Sequence, residues 1–245
     1  METDVKKFLN GILEVFFPSE ITCFLCGGEV EESKFCLCNK CRKTLPVVNK
    51  RCLRCGTPIK SKAKYCLNCK QGERAFALAR SPLIYKDEIR TAVRNLKYNN
   101  QKHLAKVFAK FMVEEFRKME AEILPVDVIV PVPMFLQKQK KRGYNQAELL
   151  AKEFSKIVNI CLDAKSLVRI KDTPTQTALS SLERHKNLEN AFKAENNSFK
   201  GKVVLLIDDV LTTGSTANSC CKEIKRCGAK EVYVLTFATT ELENF

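Results

Sequence analysis

Val203-Val-Leu-Leu-Ile-Asp-Asp-Val-Leu-Thr-Thr-Gly-Ser-Thr216 decides the fold class of this 245-residue chain. Its continuous apolar start reads as a buried strand of a parallel sheet. Two adjacent carboxylates, Asp208 and Asp209, follow, then a turn of small hydroxyl residues around Gly214, then a helix-compatible stretch over residues 217–227. A turn between such a strand and a helix offers backbone N–H groups and the positive end of the helix dipole to a phosphate. The two carboxylates would hold sugar hydroxyls as neighbouring acceptors. Together these parts describe a pocket for a phosphorylated ribose. The bland alternative is an ordinary strand–turn–helix junction capped by Asp and Thr.

Outward from this segment, strand and helix signals alternate from about Phe76, as in an α/β domain. Residues 76–78 and 83–85 read as short strands around Ser81-Pro82, and Asp87 is a candidate cap for a helix ending near Tyr98. A longer helix is expected over residues 102–120, with Leu104, Val107, Phe108, Phe111 and Met112 on one face. Residues 127–130 read as a buried strand running into Pro131-Val132-Pro133, residues 143–158 as a helix, and residues 202–207 as the strand that feeds the acidic pair. Ligands of such sheets bind beyond the carboxyl ends of the strands, so residues 131–133 and the Asp208-Asp209 pair are expected to face one crevice. Ala217, Cys220, Cys221 and Ile224 fall on an i, i+3, i+4, i+7 stripe, which assigns these cysteines, with Cys227, to the core. Cys161 belongs to no motif.

Nine of the 13 cysteines lie between Cys23 and Cys69, and eight form Cys-x-x-Cys pairs: Cys23/Cys26, Cys38/Cys41, Cys52/Cys55 and Cys66/Cys69. Two residues between ligands let one turn aim both thiolates at a single ion, and four sulfurs complete a tetrahedral Zn²⁺ site. The pattern is an internal repeat: eleven residues separate Cys26 from Cys38, ten separate Cys55 from Cys66, and a glycine follows the first pair each time, where a metal knuckle commonly needs positive φ. That order favours two consecutive zinc ribbons, with one or two ions bound, over an interleaved arrangement. Cys36 offers a substitute for Cys38 and is read as a spare thiol. A disulfide framework competes, but the cysteine count is odd and no secretory signal is recognisable.

Hydrophobic content of 45% and charged content of 29% are those of a soluble globular protein, and no apolar run approaches the ~20 residues of a membrane span. Residues 8–17 read as an amphipathic helix ending at Pro18 rather than a signal peptide, because Asn10 and Glu14 interrupt them and no small-residue cleavage site follows. A cytoplasmic location is expected. The formal net charge of +14 suits nucleic acid or polyphosphate. A solvated lysine-rich surface explains it equally well, so charge alone does not separate the function classes.

The 203–216 segment resembles the signature of type I phosphoribosyltransferases, which bind phosphoribosyl pyrophosphate (PRPP) together with Mg²⁺. The resemblance implies that Asp208 and Asp209 grip the ribose hydroxyls and that Thr212, Thr213, Gly214, Ser215 and Thr216 wrap the 5′-phosphate. Further segments are similar to the ComF family of competence-associated phosphoribosyltransferases: Val130-Pro-Val-Pro133 followed by Lys141-Arg-Gly-Tyr-Asn-Gln146, residues 169–176 continued by Leu179, Arg184, Asn187 and Ala191-Phe192, and Leu96-Lys97-Tyr98. That family carries zinc-binding cysteines ahead of its transferase domain. The implied organisation is a helix at residues 1–20, a double zinc-ribbon module at 21–74 and a phosphoribosyltransferase domain at 75–245, with a mostly parallel sheet flanked by helices.

The resemblance also implies the chemistry: pyrophosphate leaves the anomeric carbon through an oxocarbenium-like state. Pro131, Val132 and Pro133 are expected to bind the pyrophosphate through exposed N–H groups, although the prolines suffice to end a strand. Lys97, Lys141, Arg142 and Arg184 are the candidate leaving-group cations, against the alternative of solvated surface charge. The loop containing residues 173–184 is expected to close over PRPP, and Gln146 to do no more than cap a helix. Purine-salvage relatives typically carry Asp where this chain has Thr212, which argues against a 6-oxopurine acceptor. Three functions remain in view: PRPP-dependent transfer in natural transformation, with single-stranded DNA and DNA-uptake proteins as partners; a non-catalytic DNA-binding accessory; and nucleotide salvage.

Overall fold

A computed structural model of the protein describes residues 22–30, 35–60, 62–72, 74–172 and 190–241. The helix expected within residues 1–20 and the loop containing Arg184 lie outside the described residues. Compact packing divides the chain into two units, Met1–Leu45 and Pro46–Phe245. No helix among the described residues is long and apolar enough to cross a membrane.

The first unit contains one ribbon. Its leading knuckle closes by Gly27 N donating to Cys23 O (2.8 Å) and Cys23 N to Gly28 O (2.7 Å), and the second Cys pair opens helix α1, Asn39–Lys43. The second unit starts with the same device: Gly56 N donates to Cys52 O (3.0 Å), Cys52 N donates to Thr57 O (2.9 Å), and Cys66 precedes helix α2, Leu67–Gln71. The glycine expected at positive φ in each knuckle is found there, with φ 74° at Gly27 and 69° at Gly56. Gly56 has a second reason to lack a side chain, since a Cβ would stand 2.5 Å from Ala79 O.

Packing therefore joins the second ribbon to the α/β body. Its sequence boundary, drawn from composition at residues 74/75, sits inside this unit. The ribbon is pinned by polar contacts to the edge of the sheet. Ala79 N donates to Arg54 O (2.7 Å), and the buried Arg80 donates to Leu53 O (3.1 Å) and to Glu122 (2.8 Å). Arg51 pairs with Glu115, which is only 2% exposed. A buried carboxylate tolerates such a site only when it is paired.

The main sheet has six strands: β1 (Leu78–Arg80), β2 (Leu83–Ile84), β3 (Val128–Pro131), β4 (Cys161–Leu162), β7 (Val203–Leu211) and β8 (Glu231–Thr239). The order is β1-β8-β7-β3-β4, β2 takes up pairing with β8 beyond β1, and every pairing is parallel. β7 is central, and residues 203–207 are all buried, as a strand covered on both faces requires. A small antiparallel pair, β5 (Leu167–Arg169) and β6 (Phe192–Ala194), stands apart.

Among the described residues, five further helices complete the layers: α3 (Asp87–Tyr98), α4 (Leu104–Met119), α5 (Leu136–Arg142), α6 (Gln146–Val158) and α7 (Ser215–Arg226). α3 buries Ile89, Ala92, Val93 and Leu96 at helical spacing, and α4 stacks Phe108 on Phe237 of β8 with ring centroids 3.7 Å apart. α7 buries Ala217, Cys220, Cys221 and Ile224, the stripe read from the sequence.

Three local expectations need correction. β7 does not stop at the acidic pair but continues to Leu211, because β8 keeps pairing with it as far as Thr239. Asp87 is not a side-chain cap: Lys86 holds the N-cap position, and Asp87 sits at φ 45° in the first turn of α3. The helix expected over residues 143–158 begins later, at Gln146. The lysine run before it forms a helix of its own, α5, which Gly143 terminates at φ 86°.

Candidate phosphoribosyl site and zinc centres

β3 ends at Pro131, opposite Ile207, while β7 runs on past it. Asp208 and Asp209 thus emerge beyond the end of β3, flanked on the other side by β8, where Asp208 faces Thr236. This is the crevice at the carboxyl ends of the strands where ligands of parallel sheets sit.

Two helices converge on Asp209, which is 3% exposed. Lys97, in the last turn of α3, forms an ion pair with its Oδ2. Gln146, the first residue of α6, donates from Nε2 to Oδ1 (3.3 Å), and the Gln146 Oε1 accepts from Arg142 Nη1 (2.5 Å). The Arg142 guanidinium lies over the Tyr98 ring, 4.9 Å from its centroid. Asp208 accepts from the backbone N of Asp209 (2.8 Å).

The Arg142-Gly-Tyr-Asn-Gln146 segment holds this cluster together. Tyr144 donates its hydroxyl to Leu96 O, one residue before Lys97. Asn145 caps α6 by accepting from Ala147 N (3.0 Å), and its Nδ2 donates to Val132 O (3.0 Å). One five-residue turn is thereby latched to the end of α3 and to the end of β3, and it delivers Gln146 to the acidic pair. Gln146 is a site residue that sequence reasoning missed. A cap was the only local signal it offered.

Burial pushes both carboxyls upward, but their neighbours differ. For Asp208 the charge of Asp209 adds to burial and holds it well above the usual carboxylate range. For Asp209, the Lys97 charge and the hydrogen bonds from Lys97, Asp208 and Gln146 outweigh burial, and its pKa ends below that range. Burial pulls Lys97 down, yet Asp209 and Asp208 outweigh it and keep the ammonium above its ordinary value. The cluster is an Asp209–Lys97 ion pair beside a second carboxyl, Asp208, that burial and the Asp209 charge make harder to ionise.

The other sequence-derived positions fall as follows. Thr212 and Thr213 are half-buried, and Gly214, in the left-handed region at φ 76°, leads into α7. The Thr213 and Ser215 hydroxyls are hydrogen-bonded at 2.9 Å, and Asn218 N donates to Gly214 O (2.8 Å). Thr216 is half-buried in the first turn of α7, where helix geometry leaves N–H groups without intrahelical acceptors. Lys141 is exposed, one residue before the Arg142 that reaches Gln146. The expectation of N–H donors at Pro131, Val132 and Pro133 is corrected. Both prolines lack an N–H, and Val132 N is already bonded to Ile207 O at 2.9 Å.

The eight cysteines form two four-sulfur groups, Cys23/Cys26/Cys38/Cys41 and Cys52/Cys55/Cys66/Cys69, each with its ligand atoms within 4.8 Å of one another. The arrangement is consecutive, as the repeat implies, and Cys36 belongs to neither group. Sulfur–sulfur separations of 3.7 Å for Cys26–Cys38 and 3.6 Å for Cys55–Cys66 approach the ~3.8 Å edge of a tetrahedron with Zn–S bonds of about 2.3 Å. The donor set therefore fits Zn²⁺. Burial raises the Cys23 thiol, but backbone N–H groups of Cys38, Cys26 and Leu25 bring it down to about 7, while burial and the neighbouring cysteines push the Cys41 thiol up. All four second-group cysteines are buried, whereas Cys26 of the first is exposed.

Comparison with known proteins agrees with this architecture. Residues 12–70 match the double zinc ribbon domain and residues 97–241 the phosphoribosyl transferase domain. Competence protein F of Haemophilus influenzae is 32% identical over 217 residues, covering 86% of this chain and 94% of that protein. DNA utilization protein YhgH of Salmonella typhimurium is 29% identical, covering 89% and 96%. Competence protein ComFC of Bacillus subtilis is 28% identical over 74% of each chain. With its two ribbons, its parallel sheet and a relative matched over nearly its whole length, this chain belongs to the ComF family, the competence-associated proteins that join a double zinc ribbon to a phosphoribosyltransferase domain.

Proposed function

We propose that this protein binds Mg²⁺–PRPP and transfers the phosphoribosyl group to an acceptor with release of pyrophosphate, in the cytoplasm, during the handling of incoming single-stranded DNA. The observation that carries the reading is the placement of the acidic pair. Asp208 and Asp209 emerge together past the end of β3, with Asp208 accepting from the backbone N of Asp209 and Asp209 held in place by Lys97 and Gln146. Such a pair is built to take hydroxyl donors, which the 2′- and 3′-positions of a ribose supply.

In this reading Asp208 and Asp209 orient the ribose, and residues 212–216 anchor its 5′-phosphate at the start of α7. Lys97 and Arg142 stand at the same crevice and neutralise the departing pyrophosphate, with Lys141 and Arg184 as further candidate cations. Mg²⁺ prefers oxygen ligands and keeps several waters, so it arrives on the pyrophosphate, with the acidic pair as the protein's oxygen donors nearby. It supplies charge neutralisation of the leaving group. The zinc ions are structural, since a four-thiolate site leaves no open position for substrate.

The test is pyrophosphate release from PRPP across bases, amines, nucleosides and single-stranded DNA. Release with one acceptor class supports transfer and names the acceptor; failure to bind PRPP refutes the proposal. A second reading, a non-catalytic DNA-binding accessory, draws on the name of the YhgH relatives and on the net charge of +14. Tight PRPP binding without release, with single-strand affinity falling steeply as salt rises, favours it.

A further inference from the structure

Arg74 lies where the second ribbon hands the chain to β1, and the backbone just after it is fixed at two points. Ala75 N donates to Oδ1 of Asn218 (2.7 Å), a buried residue in the first turn of α7, and Ala77 N donates to Val232 O (3.0 Å). Phe76, 1% exposed, plugs the core between these two anchors. The side chain is thereby carried to the loop that precedes α7. A Cβ built on Gly214 would lie 3.2 Å from Arg74 Nη1 and 3.7 Å from its Cζ.

No hydrogen bond or ion pair to Arg74 is present among the described residues. Its Nε is closed off from solvent without an acceptor, and the guanidinium stands 5.9 Å from the centre of the Phe76 ring. A shielded guanidinium N–H without an acceptor is a cost that a native fold retains for a reason. The cleft it enters has two walls. Thr212, Thr213 and Gly214 form one, and Thr57 and Asn68 of the second ribbon form the other with Arg74. The loop wall carries hydroxyls and a helix start but no basic side chain.

We propose that Arg74 is a phosphate-binding residue, its guanidinium pairing with the terminal phosphate monoester of a phosphoribosyl ligand seated on residues 212–216. The second zinc ribbon then forms one wall of the pocket. This deepens the functional reading above and rests on it. The chemistry is complementary: helix-start N–H groups and hydroxyls meet the anion from one side, and a planar cation that binds phosphate oxygens bidentately meets it from the other. Because a terminal monoester carries nearly two charges and a diester one, Arg74 favours a free 5′-phosphate over an internal phosphate of a nucleic acid. Cys55 lines the same cleft, with its Sγ 3.3 Å from the Thr57 hydroxyl. The second metal centre and the phosphate pocket therefore share a wall.

Calorimetry on the zinc-loaded full chain tests this, with ribose 5-phosphate as the probe and inorganic pyrophosphate as a control for the other end of the site. Arg74→Ala is expected to weaken ribose 5-phosphate by about 10- to 100-fold, the range of a lost charge-assisted hydrogen bond, while pyrophosphate affinity and zinc content stay unchanged. Arg74→Lys keeps the charge but not the fork, and is expected to fall between Ala and the wild type. It carries the same test if the alanine variant loses zinc or fails to fold. Undiminished ribose 5-phosphate binding in the variants overturns the role of Arg74 and leaves the functional reading standing. An equal loss for both probes also overturns it, because it shows a general charge effect. Absence of ribose 5-phosphate binding in the wild type overturns the functional reading itself.

Discussion

Lys97→Met removes the ammonium that faces the acidic pair and keeps most of the stem. The Asp209 side chain is 4% exposed and that of Lys97 22%, so the deletion strands an almost wholly buried carboxylate. Removing one partner of a buried pair costs about 3–5 kcal/mol. The partial exposure of Lys97 and the surviving Gln146 hydrogen bond reduce this to about 2–3 kcal/mol. At about 2–4 °C per kcal/mol for a chain of this size, Tm falls by about 5–10 °C. Asp209→Asn leaves a lysine able to reach water and relieves Asp208, so its effect is expected to be less than half as large. In the wild type Lys97 holds Asp209 below its usual pKa, so the stabilisation is present above the unfolded value near ~3.9 and is lost as pH falls through the lower folded value. Without Lys97, burial pushes the Asp209 pKa upward, opposed only by the hydrogen bonds from Asp208 and Gln146. The deficit of the variant is then largest near pH 8 and shrinks as pH falls toward 5. Thermal unfolding of both proteins at matched pH, with zinc in excess, measures that difference, and shared losses from thiolate protonation cancel in it. A deficit independent of pH, or a Lys97→Met/Asp209→Asn double variant no more stable than Lys97→Met, refutes the reasoning.

Gly214→Ala places an L side chain at φ 76° with its Cβ 3.2 Å from Arg74 Nη1, so a stability loss of roughly 1–2 kcal/mol is expected by denaturant titration, together with weakened PRPP binding. Native mass spectrometry is expected to find two Zn²⁺ per chain, falling to one in Cys66→Ser. A chelator is expected to remove the ion of the first group sooner, since Cys26 is exposed while all four cysteines of the second group are buried.

The sequence was most informative where chemistry is local. The strand, acidic pair and phosphate loop occupy one short window, and the Cys-x-x-Cys-Gly repeat dictates its own turn, so positive φ at Gly27 and Gly56 followed from spacing alone. The α7 stripe was legible for the same reason, since four apolar positions at helical period need no partner to be recognised. What stayed hidden depends on pairs distant along the chain. Gln146 reads as a helix start until Asp209, 63 residues away, is placed beside it. Arg74 looks like a linker residue until the bond from Ala75 to Asn218, across 143 residues, brings it to the loop. The attachment of the second ribbon to the α/β body rests on Arg51–Glu115 and on the Arg80 hydrogen bond to Leu53 O, pairs that no periodicity marks. The N–H nest expected at residues 131–133 failed for a topological reason, because β7 outruns β3 and its Ile207 carbonyl takes the Val132 N–H.

The central claim is that the acidic pair receives the ribose of PRPP. Calorimetric titration of Mg²⁺–PRPP into the zinc-loaded wild type and into Asp208→Asn/Asp209→Asn tests it most directly. Loss of the charge-assisted hydrogen bond at the ion-paired Asp209, about 1.5–3 kcal/mol, predicts a loss of affinity of about 10- to 100-fold in the variant. Equal affinity in the two proteins would contradict the account.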